Sequence, residues 1–114
     1  MTDPQCVFCQ IATGQIPVDP VFQNEEFLAF RDINPQAPVH VLVIPKAHYP
    51  TLMEVNDPQV LGRALRVVQE TVTLLGIDRE GFRTVINCRA NGGQTVFHLH
   101  IHVLGGRHMQ WPPG

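Results

Sequence analysis

The spacing of apolar residues divides the chain into several short stretches and one long one. Leu61, Ala64, Leu65, Val68, Val72 and Leu75 recur at helical intervals. They predict an amphipathic helix with Asp57 as N-cap, Pro58 at its first position and Gly76 as its stop. Residues 39–44 are almost continuously apolar, the mark of a strand buried on both faces and central in its sheet, and Pro45 ends the run. Val21 to Gln23 and Phe27 to Arg31 flank Asn24-Glu25-Glu26 and read as a hairpin. Residues 6–12 carry an apolar stripe of Val7, Phe8 and Ile11 and read as a short helix stopped by Gly14. Residues 82–87 read as a further strand, joined by a turn at 91–94 to a last one. Strands outnumber helices and follow one another as hairpins. The predicted architecture is therefore α+β: a mainly antiparallel sheet of five strands with one long and one short helix.

The last strand breaks the ordinary pattern. In Phe97-His98-Leu99-His100-Ile101-His102-Val103, imidazoles alternate with apolar residues. Side chains of a strand point to opposite faces in turn, so His98, His100 and His102 share one face and Phe97, Leu99, Ile101 and Val103 the other. With six histidines in 114 residues, three specified positions are all His by chance with a probability of roughly one in ten thousand. A solvated strand face normally mixes Thr, Lys, Glu and Ser instead. Three successive same-face Cβ atoms span about 13–14 Å, too far for one ion to hold all three rings. The pattern points to a division of labour. Neutral imidazole is nucleophilic near pH 7, so a central His flanked by two others suits covalent attack with proton transfer. Just upstream, Asn91-Gly92-Gly93 reads either as a plain turn or as a nest of backbone amides for an anion.

Composition narrows the partners. The length is that of one domain, residues 1–114, with 1–5 expected to be flexible. The net charge of −2 and the absence of a Lys/Arg cluster argue against nucleic acid as partner, while small phosphates remain compatible. No apolar run approaches the ~20 residues of a membrane span, and the start lacks a charged-then-apolar leader, so a soluble, cytoplasmic protein is expected. Three cysteines make no disulfide framework. Cys6 and Cys9 stand three apart on one helical face. They read either as buried reduced thiols or as half of a zinc site completed by His48 and His98. His40, in the central strand, reads as a residue pointing outward with no role, and Cys88 as inert.

The run from His98 to Leu104 resembles the signature of the histidine triad (HIT) superfamily. Phe30-Arg31-Asp32-Ile33-Asn34-Pro35-Gln36-Ala37-Pro38, Val43-Ile44-Pro45-Lys46 and the end from Gly105 to Gly114 resemble its Hint branch of nucleotide-binding proteins. The resemblance implies hydrolysis of purine nucleoside 5'-phosphoramidates, with His100 as nucleophile and His98 and His102 beside it. It implies a purine slot lined by Val7, Phe8, Ile11, Phe30 and Ile33, with Asp32 on the ribose. Phosphate contacts fall to Asn87, Gly93, Gln94 and Thr95, where Thr95 replaces the family's common Ser. No cofactor is implied for catalysis, and Cys6, Cys9, His48 and His98 match the positions of an optional structural zinc. Residues 105–114, with Trp111, match a segment that reaches the partner's active site in a homodimer whose sheets join into ten strands. Two other readings are a dinucleoside polyphosphate hydrolase of another HIT branch and a nucleotide-binding regulatory or scaffold protein.

Overall fold

The structure, a computed structural model, describes residues 2–114. The elements are α1 (Val7–Ala12), β1 (Pro20–Gln23), β2 (Phe27–Arg31), β3 (Val39–Pro45), α2 (Pro58–Leu75), β4 (Phe82–Val85) and β5 (Ile101–Gly105). A single 3-10 turn, Leu52–Glu54, precedes α2. The five strands form one sheet in the order β1-β2-β3-β5-β4, and every neighbouring pair is antiparallel. The fold is thus the expected α+β, five-stranded one, with β3 at its centre. Of the five residues expected to be flexible, Met1 lies outside the described residues. Asp3 to Gln5 form a turn beside α1, with the Cys6 amide donating to the Asp3 carbonyl at 3.0 Å.

Both faces of the sheet are covered, which explains why β3 is apolar at every position but one. Val41 and Val43 join Phe27, Ala29, Ile101 and Val103 beneath α2. Leu42 and Ile44 face the other way and pack with Leu28, Phe30 and Phe8 of α1. Burying these side chains on two sides of one strand contributes roughly 1.5–3 kcal/mol apiece.

Helix α2 begins and ends where its caps predict. Asp57 accepts from the Gln59 amide at 2.9 Å, and Gly76 stops the helix at φ 71°. Its buried stripe, however, is Val60, Ala64, Val67, Val68, Thr71 and Val72. Leu65, expected in that stripe, is 53% exposed. One residue past Ala64 it stands 100° around the helix, and the sheet presses on the Ala64 side.

The second departure lies between β4 and β5. The expected tight turn is a fifteen-residue connection from Ile86 to His100. Its backbone folds on itself: Gly93 donates to the Ala90 carbonyl at 3.0 Å and Gln94 to the Arg89 carbonyl at 3.1 Å. Regular pairing stops at Val85 and His102, and the Leu99 amide turns to the Tyr49 carbonyl at 2.7 Å instead. Of the three histidines only His102 lies within the strand. Alternation nonetheless persists, with Leu99, Ile101 and Val103 buried under α2, while Phe97 is 54% exposed where the chain bends.

Candidate active site

His98, His100 and His102 all lie on the α1 side of the sheet. Phe8 of α1 meets two of the rings edge-on, with centroids 5.8 Å from His98 and 5.2 Å from His100. The His100 and His102 rings stand 5.0 Å apart. Beside them opens a cavity of about 450 Å³, a size that suits a small molecule. Val7, Phe8 and Ile11 form one wall, Phe30, Asp32 and Ile33 another, and Thr95, Val96, His100 and His102 close the end. Ile33 stands at the mouth, fully exposed.

Each ring has its protons placed by its partners. His98 Nε2 lies 2.8 Å from the Pro45 carbonyl, which can only accept, so Nε2 carries the hydrogen and Nδ1 a lone pair. His100 Nδ1 lies 2.8 Å from the His98 carbonyl, so Nδ1–H donates there and Nε2 is left with a free lone pair. His102 takes its state from a residue that the spacing of the chain left without a role. His40, expected to point outward, is only 5% exposed. Its Nδ1 accepts from the Gln36 amide at 3.0 Å, which puts its hydrogen on Nε2, 2.9 Å from His102 Nδ1. His102 Nδ1 therefore accepts, and Nε2–H is its remaining donor. Asp32 stands beside this pair, one oxygen 3.4 Å from His40 Nε2 and the other accepting from the Asn34 amide at 2.8 Å.

Burial keeps His98 and His102 uncharged near pH 7. Burial pushes the pKa of His98 down from 6.5 to about 4, and the neighbouring His48 and His100 add to the effect. Burial likewise takes His102 to about 4, with His100 and His40 adding and Asp32 opposing. His40 is also lowered by burial, against the pull of Asp32. Neutral imidazoles at pH 7 are the form that can attack an electrophile or donate one hydrogen.

The two cysteines converge on His98 from behind. Cys6 Sγ is 3.3 Å and Cys9 Sγ 3.5 Å from His98 Nδ1. His48 Nδ1 is 3.3 Å from Cys9 Sγ and 3.3 Å from His98 Nδ1. In a tetrahedral zinc site with Zn–S of about 2.3 Å and Zn–N of about 2.0–2.1 Å, donors stand about 3.3–3.7 Å apart. The four residues fit such an ion, and the carbonyl at His98 Nε2 is the second partner a ligating imidazole ordinarily has. Asp32, His40 and His102 also bring three donor atoms together, but the amide on His40 Nδ1 commits Nε2 to a hydrogen. That cluster is linked by hydrogen bonds between its rings, whereas the two thiols and two imidazoles have donor atoms spaced as a metal site requires.

Gln94, expected at the phosphate, has its amide nitrogen donating to the Pro50 and Val96 carbonyls at 2.8 and 3.0 Å. Its oxygen accepts from the Arg89 amide at 2.8 Å, so the buried side chain is spent on holding the loop. Asn87 donates to the Gly92 carbonyl at 2.7 Å, also within the loop. Gly93 takes φ 74°, which glycine adopts without strain. Trp111 is 80% exposed, with the Arg83 guanidinium 5.8 Å from its ring centre.

Alternating imidazoles on an antiparallel sheet, opening beside an apolar cavity, define the histidine triad class, and the chain belongs to the HIT domain family, whose model matches residues 13–109. An uncharacterized HIT-like protein of Synechococcus elongatus is 49% identical over 110 residues, 95% of this chain and 96% of that one. Among solved structures, a HIT family hydrolase from Legionella pneumophila is 47% identical with a TM-score of 0.92, over 96% of this chain and all of that one. A histidine triad nucleotide-binding protein from Candida albicans is 30% identical with a TM-score of 0.82, over 95% of this chain and 83% of that one. No helix of the described residues is long and apolar enough to cross a membrane.

Proposed function

We propose that the protein hydrolyses purine nucleoside 5'-phosphoramidates, releasing an amine and a nucleoside monophosphate. One observation carries the reading: the His98 carbonyl takes the His100 Nδ1 hydrogen at 2.8 Å and leaves a bare Nε2 at the end of the cavity. His100 Nε2 attacks phosphorus in line, and the phosphorus–nitrogen bond breaks. Positive charge grows on the ring as the bond forms, and the carbonyl at Nδ1–H stabilises it. His98 has no hydrogen to give, since Nε2–H is held by Pro45 and Nδ1 faces the thiols. His102 Nε2–H donates a hydrogen bond to the leaving nitrogen, which takes its proton from solvent water as the bond breaks. A second water then cleaves the nucleotidyl-histidine, its hydroxyl going to phosphorus and its proton to solvent.

The purine lies between α1, through Val7, Phe8 and Ile11, and the Phe30–Ile33 wall, and Asp32 accepts from the ribose hydroxyls. Thr95 Oγ1 holds a phosphoryl oxygen as charge shifts onto it, and Gly93, whose amide already donates to the Ala90 carbonyl, gives the loop its turn. Gln94 and Asn87 act one step back by fixing the loop that carries those groups. Zinc at Cys6, Cys9, His48 and His98 supplies structure, tying α1 to the His98 segment, and the chemistry runs without a cofactor. A second copy of the chain pairs along the free edge of β4, where Phe82 is exposed, and covers Trp111; light scattering reads that dimer directly.

The test is turnover of an adenosine 5'-phosphoramidate, with a diadenosine polyphosphate as competitor substrate. Wild type is expected to prefer the phosphoramidate and, when quenched, to carry one nucleotidyl unit on the 98–102 segment. His100→Ala is expected to bind AMP and turn nothing over. Wild-type rates in that variant would refute the mechanism.

A further inference from the structure

Helix α1 carries two sets of residues with different duties. Val7, Phe8 and Ile11 line the cavity, while Cys6, which caps the helix, and Cys9 send their sulfurs to His98. A helix of six residues has little stability of its own, so its position depends on what its side chains are fastened to. The wall of the cavity is therefore held partly by sulfur. Both thiols are free, and the donor atoms of this cluster all lie within 4.8 Å of one another. Cys6-Val7-Phe8-Cys9 is moreover a Cys-X-X-Cys segment at a helix N-terminus, the spacing and setting that redox-active disulfides use. Cys6 is half-buried and reachable, whereas Cys9 is only 2% exposed.

We propose that Cys6 and Cys9 form a redox-labile clasp on the cavity: a low-molecular-weight disulfide converts the pair to an intramolecular disulfide, which frees His98 and loosens α1 from the histidine row. The Cys6 thiolate, its proton lost to water, attacks one sulfur of the small disulfide. That sulfur–sulfur bond breaks, and one small thiol leaves with a proton from water. Cys9 then gives up its proton, attacks the Cys6 sulfur and expels the second small thiol. Two electrons have passed from the cysteines to the small disulfide, which becomes two thiols. A sulfur in a disulfide neither donates to His98 Nδ1 nor binds zinc as a thiolate. Phe8 loses its anchor on either side, and the wall it forms against His100 slackens.

The consequence for ligand binding rests on the nucleotide reading above; the thiol chemistry does not. Zinc-loaded, reduced protein is treated with glutathione disulfide, then measured by intact mass without reductant, by zinc release to a chromogenic chelator, and by calorimetric titration with AMP. Expected are the loss of two hydrogen masses, release of zinc in step with it, and AMP affinity weakened about tenfold, all reversed by dithiothreitol. Cys88→Ser should respond as wild type, and Cys9→Ser should stop at a single glutathionyl adduct. Folded protein that never loses the two hydrogens overturns the clasp. So does an oxidised chain that binds AMP as tightly as the reduced one. A reduced chain that takes no AMP refutes the nucleotide reading instead.

Discussion

Replacing His40 with leucine cuts the hydrogen-bond chain that sets the state of His102. In the intact protein the Gln36 amide holds His40 Nδ1 at 3.0 Å, and His40 Nε2 reaches His102 Nδ1 at 2.9 Å. Leucine fills the space beside Leu42 but has no donor, so His102 is free to place its hydrogen on Nδ1 and face the substrate with a lone pair. A buried hydrogen bond between neutral groups contributes about 1–1.5 kcal/mol net, which corresponds to roughly a tenfold loss in kcat. His40 does not line the cavity, so KM should move little. Gln36 is exposed, and water can satisfy its amide, so the variant should melt close to wild type. His40→Gln restores an N–H donor near His102 Nδ1 and should recover part of the rate. The assay is steady-state hydrolysis of an adenosine phosphoramidate, with kcat and KM separated and melting followed in parallel. A folded His40→Leu with wild-type kcat would refute the chain. A raised KM at constant kcat would show that His40 shapes binding instead.

Three further outcomes follow from the packing. His98 binds its proton more weakly folded, at about 4, than at its ordinary 6.5, so unfolding takes up a proton between these pH values. Stability is full above about pH 6.5 and falls as pH drops through the window, by about 3 kcal/mol for this fully buried ring in metal-free protein. His102 moves in the same direction, and urea midpoints at pH 7.5 and pH 4.5 measure the combined loss, which an unchanged midpoint would disprove. Gly92→Ala puts a Cβ 2.5 Å from the Cys88 carbonyl oxygen and 2.6 Å from its nitrogen. The loop must shift, so AMP binding should weaken and stability fall by about 1–3 kcal/mol, read by titration and melting. Thr71 is fully buried with its hydroxyl unpartnered, so Thr71→Val should stabilise the protein by about 1–2 kcal/mol in a denaturant melt; a lower midpoint would mean that the hydroxyl has a partner.

Much of this protein is legible locally. The caps of α2 are set by Asp57, Pro58 and Gly76 within a turn of the residues they serve. The double-sided burial of β3 shows as an unbroken apolar run, and the shared face of the three histidines follows from the two-residue period of an extended chain. That period holds even where β-pairing has stopped, because Leu99 is still drawn under α2 and so turns His98 and His100 the other way. What the sequence could not show is which residues meet across the sheet. His40 faces His102 only because β3 and β5 are neighbours, with Leu42 opposite His102, and strand order leaves no mark on the spacing within either strand. Cys6 reaches His98 across 92 positions, and the proton on each ring depends on a carbonyl or amide brought from elsewhere. Period and capping act within a few residues and can be read along the chain. Tautomers, the meeting of Cys6, Cys9, His48 and His98, and the buried pKa values arise from contacts between distant segments, and only the folded chain decides them.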